Sequence, residues 1–240
     1  GSASCLQRSA GDGGRRVVIM DAADERSVSA ANARLKMPEE PPARTTRRLI
    51  CHQPSRLLPT IRSRCRTLRL GPLDRDQMAQ AMAQAGVDPG ADAAALAELS
   101  AGSVGEALRL ALLDGLKLYG DLIALMNTMP NLDRARALAL ADAAGARGSE
   151  AKLDLLYTLI DIALSRLART GAGHAPLAQA APNEAATFAR LCAHPAQARA
   201  WADTAQTALA RARHGRAVNL DPGALVLDTL FKLASTATPR

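Results

Sequence analysis

The chain has 240 residues, of which 48% are hydrophobic and only 2% aromatic, and its formal net charge is +7. This apolar content is enough for one large domain or two to three small ones, and a core rich in Ala and Leu predicts helices. No apolar run approaches the ~20 residues of a membrane-spanning helix, so the sequence argues against a membrane protein. The basic charge fits a nucleic-acid or acidic partner, and fits equally a coding sequence that favours Arg and Ala.

The four cysteines, Cys5, Cys51, Cys65 and Cys192, are widely scattered and form no CxxC pair. This spacing argues against a zinc site and against a disulfide framework. No secretory signal is visible, and the initial Gly1-Ser2 resembles a cloning scar. We therefore expect a cytoplasmic protein with no metal site.

The first 70 residues alternate between predicted strands and helices. The short apolar run at 17–20 ends at Asp21 and predicts a buried strand. The Ala-containing residues 27–37 predict a helix, which the following Pro41 and its neighbours end. Further strands are predicted at 46–51 and 65–70, and turns or short helices at 54–58 and 60–64. This order predicts an α/β domain over residues 1–70.

From Gly71 onward the pattern is helical. Asp74 can accept a hydrogen bond from the first turn of a helix, so a helix is predicted to follow it. Two more short helices are predicted at 91–100 and 103–113. The three together predict a compact helical domain over residues 71–115.

Longer helices are predicted over residues 116–240. Residues 153–167 are apolar on nearly every side and predict a central, buried helix. A Gly- and Pro-containing loop follows at 170–183, and residues 196–214 predict an amphipathic helix with an arginine-rich face. The last helix is predicted to begin at Asp221, and four of its apolar residues recur at helical spacing: Leu227, Leu230, Phe231 and Ala234.

Four stretches carry a resemblance to a known family. Residues 16–24, RVVIMDAAD, resemble a Walker B strand, and residues 30–42, which include EEPP, resemble the helix that follows it in that family. Residues 57–65, LLPTIRSRC, resemble a Ser-Arg-Cys segment, and residues 102–108, GSVGEAL, resemble a sensor 2 segment. In order and spacing, the four together resemble the AAA+ clamp-loader family.

The resemblance covers roughly residues 15–115 and implies a fold that is α/β plus all-α. It implies a partial AAA+ (RecA-like) α/β domain at 1–70, a three-helix lid at 71–115 and a helical collar bundle for oligomerisation at 116–240. The last part matches the family only in being helical and of suitable length.

Two positions point to a subunit that does not hydrolyse ATP. Hydrolysis needs a carboxylate that orients or activates the attacking water. Active relatives carry it as a Glu after the Walker B Asp, where this chain has Ala22, and they carry a sensor 2 Arg where this chain has Gly105. No GxxxxGK[ST] phosphate loop occurs either, as if an N-terminal part were missing. We expect no bound cofactor and no catalytic activity of the isolated chain.

Arg64 is the strongest candidate for a functional residue. The resemblance implies that it acts in trans as an arginine finger, entering the ATP site of a neighbouring subunit, with Ser63 and Cys65 positioning the turn. A guanidinium there neutralises charge on the transferred phosphoryl group, an effect worth roughly 10³–10⁵ in rate. A surface Arg that pairs with a nearby carboxylate is the alternative.

Other charged or metal-binding candidates have simpler explanations. Asp21 could bind magnesium as a degenerate Walker B residue, but capping of the next segment explains it as well. Cys51 and His52 could form a metal pair only with further ligands. One arginine group could contact DNA phosphates, although the resemblance implies a subunit interface for Arg64 instead: Arg62, Arg64, Arg66 and Arg69. A second stripe could bind DNA or an acidic partner, or form a solvated helix face: Arg190, Arg199, Arg211, Arg213 and Arg216.

The implied partners are the motor and delta subunits of a clamp loader, primer-template DNA within the complex and, indirectly, the sliding clamp. The rival is a stand-alone DNA-binding or regulatory protein built on a degenerate AAA+ domain. Four residues depart from the expected apolar pattern of the first domain, namely Arg34, Pro38, Arg47 and Arg48, and they put its intactness in doubt.

Overall fold

The computed structural model describes residues 16–21, 44–176 and 178–238. The chain divides into two compact units, Gly1–Leu70 and Gly71–Arg240. The helix predicted at 27–37 lies outside the described residues, as do Arg34 and Pro38.

The first unit contains a two-stranded parallel sheet within the described residues. Strand β1 is Arg16–Met20 and strand β2 is Thr45–Leu49, with Val18 opposite Arg47 and Met20 opposite Leu49. Because side chains alternate along a strand, these four residues share one half-buried face. The other face is open.

The prediction of a buried first strand is wrong for every second residue. Val17 and Ile19 are 53% and 61% exposed, whereas Val18 and Met20 are half-buried. Parallel sheets are normally covered on both faces, but the described part of this sheet is covered on one only. The same alternation accommodates Arg48, which points into solvent.

The third predicted strand, at 65–70, is also wrong. These residues have no strand structure, and Leu68 and Leu70 are 82% and 88% exposed. Apolar alternation favours an extended chain, but a strand also needs a partner for its backbone hydrogen bonds. The sheet of the described residues consists of β1 and β2 only.

Ten α-helices are present in the described residues. The first unit holds a 3₁₀ turn at Pro54–Arg56 and α1 at Pro59–Arg62, and the second unit has a 3₁₀ turn at Gly90–Asp92. The helices of the second unit are α2 Arg75–Gln84, α3 Ala93–Leu99, α4 Val104–Leu112, α5 Gly115–Met126, α6 Arg134–Gly145, α7 Glu150–Gly171, α8 Glu184–Leu191, α9 Pro195–Ala217 and α10 Pro222–Thr236. None of these described helices combines the length and apolarity needed to cross a bilayer.

Side-chain caps begin several of these helices where the sequence predicts them. Asp74 accepts a hydrogen bond from the backbone N–H of Gln77 at 2.8 Å, and the Gln77 side chain accepts one from the Asp74 N–H at 3.2 Å. This reciprocal pair is a capping box. Asp221 likewise accepts from the Ala224 N–H at 2.7 Å, with Pro222 at the first helical position.

Helix α7 is the centre of the second unit, as predicted. It packs against α5, α6, α8 and α9, and its Leu155, Leu156, Leu159 and Ile160 are fully buried. The three short helices α2, α3 and α4 pack on one another, and their core continues through α4 into α5. The division into a lid and a collar stays a prediction.

The last helix turns a different face to the core than its spacing predicts. Leu230 and Ala234 are buried as predicted, but Phe231 is 50% exposed. Helix α10 packs on α6 and α9 through a face that includes Val226 and Leu233. The described chain is thus mostly helical with a small parallel sheet, which is compatible with part of an AAA+ fold.

Candidate interaction site at the Ser-Arg-Cys turn

Local hydrogen bonds fix the backbone of the Ser-Arg-Cys turn. Helix α1 begins with Pro59 at its first position, where the missing N–H costs nothing. The Ser63 N–H donates to the Pro59 carbonyl at 2.9 Å, and the Arg64 N–H donates to the Ile61 carbonyl at 3.1 Å. The Ile61 side chain is buried and anchors this short helix. The turn therefore has a defined shape despite its position on the surface.

The three predicted site residues are all exposed. Ser63 Oγ donates to the Thr60 carbonyl at 3.2 Å, and Arg64 Nη1 donates to the same carbonyl at 2.9 Å. Arg64 and Cys65 lie side by side on the exposed turn. Both bonds fold side chains back on α1, as a positioning role for Ser63 would require. The roles of these residues stay predictions.

The carboxyl ends of β1 and β2 bring another set of candidates to one edge of the sheet. Asp21 is exposed directly after β1, and the Ile50 N–H extends the ladder by donating to the Met20 carbonyl at 2.9 Å. Cys51 and His52 follow at the same edge. No group of three potential metal ligands occurs among the described residues. Ala22 lies outside the described residues.

The two glycines of the sensor-2-like stretch occupy different environments. Gly102 has φ +77°, and a Cβ there would lie 2.6 Å from the backbone nitrogen of Leu73. Leu73 in turn donates to the Gly102 carbonyl at 3.0 Å, so this glycine is required by a close approach of two backbones. Gly105 lies in the first turn of α4, and a Cβ added there would have no atom within 4 Å. Packing would therefore tolerate a side chain at Gly105.

Most arginines of the predicted stripe in the last helices have partners within the chain. Arg190 lies on α8 and donates to the backbone carbonyls of Asn127 at 2.8 Å and Met129 at 2.7 Å, which closes the end of α5. Arg211 pairs with Asp228 at 2.6 Å, and Arg216 pairs with Asp154. Arg199 and Arg213 are exposed. Three of the five arginines thus have structural partners within the chain.

A buried ionic cluster that sequence reasoning missed lies in the second unit. Arg166 of α7 donates from Nε to Glu184 Oε1 at 2.7 Å and from Nη2 to Glu184 Oε2 at 3.3 Å. Its Nη1 donates to Glu98 of α3 at 3.0 Å, and its Nη2 to the Ala178 carbonyl at 2.7 Å. Tyr119 of α5 donates to Glu184 at 2.6 Å. The guanidinium therefore connects α7, α8 and α3, and Tyr119 adds α5 to the cluster through Glu184.

This cluster is shielded from solvent. Arg166 is 8% exposed and Glu184 1%, and the second Glu184 oxygen accepts from the Ala180 N–H at 2.6 Å. Burial alone would lower the pKa of Arg166, but its bonds to Glu184 raise that pKa overall. Burial and the bond to Glu184 raise the pKa of Tyr119 above its usual range. The charges are compensated within the fold, which is what a buried ion pair requires.

Comparisons with known proteins are consistent with the motif resemblance. Residues 3–74 match the family model described as DNA polymerase III, delta subunit. The DNA polymerase III subunit delta' of Pseudomonas aeruginosa is 60% identical over 53 residues, which is 22% of this chain and 16% of that protein. The protein of the same name from Escherichia coli K12 is 40% identical over 156 residues, 64% of this chain and 46% of that protein.

A third relative, DNA polymerase III subunit delta' of Bacillus subtilis, is 40% identical over 75 residues, 31% of this chain and 23% of that protein. Each of these alignments spans less than half of the relative's own length. The chain is thus related to subunits of DNA polymerase III. Within that class it is the delta-prime subunit that the chain resembles, and the resemblance inferred from the motifs is confirmed.

Proposed function

We propose that the chain acts as a delta-prime-type subunit of a DNA polymerase III clamp loader. In this proposal it does not hydrolyse ATP and donates Arg64 to the ATP site of a neighbouring subunit. The observation that carries the proposal is an exposed arginine on a hydrogen-bonded turn, within the stretch that matches the DNA polymerase III family model. The motor and delta subunits, the sliding clamp and primed DNA are the proposed partners.

The geometry of the turn suits a residue that acts on another chain. A finger must present its guanidinium beyond its own surface, and Arg64 is exposed at the end of α1. A planar guanidinium matches two phosphate oxygens at once, which an ammonium cannot do. Nη1 of Arg64 donates to the Thr60 carbonyl, so in this proposal the side chain releases that bond and extends away from α1 to enter a neighbouring site.

The non-hydrolysing role is supported by two side chains that cannot perform the chemistry. Ala22 has no oxygen with which to orient a water molecule, and Gly105 has no cation for a γ-phosphate. The open space at Gly105 means that the fold does not require glycine there. Packing around a Cβ at Gly105 does not impose glycine, and in this proposal the missing arginine reflects an absent contact with nucleotide.

The second unit, Gly71–Arg240, is called here the helical unit, and it is proposed to hold the chain in the assembly. Several large apolar side chains remain exposed on or beside its helices: Leu112, Leu138, Val218, Leu220 and Phe231. Permanent assemblies bury such side chains in large apolar interfaces.

The test reconstitutes the chain with motor and delta subunits of a clamp loader and a sliding clamp, and measures clamp- and DNA-stimulated ATP turnover. Arg64→Ala is expected to assemble normally and to lower turnover by at least 10³-fold at the site that it serves, the lower end of known arginine-finger effects. Arg56→Ala, an exposed arginine of the same unit, is the matched control and should leave turnover unchanged. Equal turnover for wild type and Arg64→Ala would refute the finger.

A further inference from the structure

We propose that the ion pair between Glu98 and Arg166 acts as a conformational latch in the second unit. It holds the three short helices, α2–α4, at one angle to helices α5–α10, which are called here the bundle. Three features support this latch: the short joint between the two helix groups, the location of the ion pair on helices outside that joint, and the unequal burial of its two side chains. The latch is independent of the proposed function.

The joint between the two helix groups is short. Helix α4 ends at Leu112 and α5 begins at Gly115, and between them Asp114 has a left-handed backbone at φ +54°. A Cβ at Gly115 would lie 2.5 Å from Leu110 Cδ2, so the two helices meet closely at this point. The main packing between the three short helices and the bundle is that of α4 on α5, which are consecutive in the chain. Rotation about a joint of a few residues is how packed helix groups change their relative angle.

The ion pair joins two helices that lie outside this joint. Glu98 belongs to α3 and Arg166 to α7, and Arg166 Nη1 donates to Glu98 Oε2 at 3.0 Å. Among the ion pairs within the described part of the second unit, this is the one that connects the three short helices to the bundle. Rotation about the α4–α5 joint would separate the two charges, so the ion pair opposes that rotation.

The two side chains of the latch are not equally buried. Arg166 is almost fully buried and is also held by Glu184 and the Ala178 carbonyl, whereas the Glu98 side chain is 31% exposed. Separation of the pair therefore breaks one charge-assisted hydrogen bond, after which Glu98 binds water and Arg166 keeps Glu184 as its counter-charge. Because no unpaired charge is left in the core, the latch can open without unfolding the bundle.

The test measures the angle between the two helix groups by double electron–electron resonance on the full chain. One pair of spin labels, attached at Gln84→Cys on α2 and Ala210→Cys on α9, spans the two groups. A second pair, at Ala143→Cys on α6 and Ala210→Cys, lies within the bundle. All three positions are exposed. Cysteines 5, 51 and 65 are replaced by serine, and Cys192 is kept because its burial protects it from labelling.

Two alanine variants are compared in this labelled background. Glu98→Ala removes the acceptor of the latch and places a strong helix former in α3. Glu106→Ala is the matched control, because it also removes a carboxylate from the three short helices. Its partner there is Arg109 of the same helix, at 3.2 Å, so the latch stays intact. Circular dichroism measures the helical content of both variants.

We expect one narrow distance between the labels on α2 and α9 in the parent chain and in Glu106→Ala. In Glu98→Ala, loss of the charge-assisted bond should raise the population of the rotated orientation roughly tenfold and give a second distance. The labels within the bundle should keep one distance throughout.

The proposal is overturned if Glu98→Ala keeps the single distance of the parent chain, or if the parent chain or Glu106→Ala already shows the second distance. It is also overturned if Glu98→Ala loses helical content or changes the distance within the bundle, because the pair would then stabilise the core rather than set an angle.

Discussion

The Ser-Arg-Cys turn of the first unit and the helices of the second unit place arginine in opposite environments. On the turn, Arg64 is exposed and contacts a carbonyl four residues away. In the helical unit, Arg166 is buried and its guanidinium contacts Glu98, Glu184 and the Ala178 carbonyl. An arginine whose donors are satisfied inside the fold stabilises the fold, whereas an exposed arginine is suited to bind something else. The number of arginines therefore says less about function than their partners do.

The largest expected effect is on the buried cluster. Arg166→Met removes the cation and leaves the Glu184 carboxylate buried without a counter-charge. We expect the free energy of unfolding to fall by about 3–5 kcal/mol, measured by urea denaturation. Arg211→Met, which removes only the exposed pair with Asp228, should cost at most about 1 kcal/mol.

A double variant sharpens this expectation. Arg166→Met/Glu184→Met replaces both charges by apolar groups, so it should be more stable than the single Arg166→Met variant. If Arg166→Met costs no more than Arg211→Met, the cluster is not an internal structural element and the contrast between the two regions fails.

The next largest effect concerns the glycine where two backbones meet. Gly102→Ala places a Cβ 2.6 Å from the Leu73 nitrogen at φ +77°, so we expect about 1–3 kcal/mol of destabilisation. Gly120→Ala is the matched control, because nothing lies within 4 Å of its Cβ position inside α5. Gly120→Ala should stabilise by about 0.5–1 kcal/mol. Thermal unfolding of both variants measures the difference, and an equal effect on stability would contradict the backbone contact.

A pH effect of the helical unit comes from its tyrosines. Tyr119 and Tyr157 are the two tyrosines of the chain, and burial raises the pKa of each above 10. The native protein then keeps protons that the unfolded chain releases, so the contribution of the tyrosines to stability is constant below about pH 10 and falls as the pH rises above it. Absorbance at 295 nm should show no tyrosinate near pH 10 until the protein unfolds. Gradual ionisation near pH 10 in the native protein would contradict the burial.

The smallest effect is expected in the exposed segment. Leu68→Ser changes a side chain that is 82% exposed, so the free energy of unfolding should change by less than about 0.5 kcal/mol. Urea denaturation beside Arg166→Met provides the comparison. A loss above 1 kcal/mol would show that residues 65–70 pack against the fold.

Features that depend on neighbouring residues could be predicted from the sequence. The caps at Asp74 and Asp221 involve hydrogen bonds over three residues, and the sequence locates both correctly. The burial of α7 follows from its many apolar residues, which lie on nearly every side of the helix between Leu153 and Leu167. The exposure of Ser63, Arg64 and Cys65 is consistent with the motif interpretation, because the turn is short, polar and begins with proline.

Features that depend on distant partners could not be predicted. The alternation at 65–70 resembles a strand, but no local signal tells whether another strand pairs with it. Arg166 lies between the buried Leu164 and Leu167 of α7, and its partners are 18 and 68 residues away. A charge on the apolar face of a helix signals that a buried partner exists, but spacing does not identify that partner. Phe231 is exposed because α10 is apolar on more than one face, and packing selects among them.

The central claim, that this chain supplies a cation to chemistry in a neighbouring subunit, is tested most directly by Arg64→Lys in a reconstituted clamp loader. The measurement is ATP turnover for each assembled complex, in parallel with wild type. Lysine keeps the charge but lacks the planar pair of donors, so we expect assembly to be normal and turnover at the served site to fall at least tenfold. Wild-type turnover with both lysine and alanine at this position would contradict the claim.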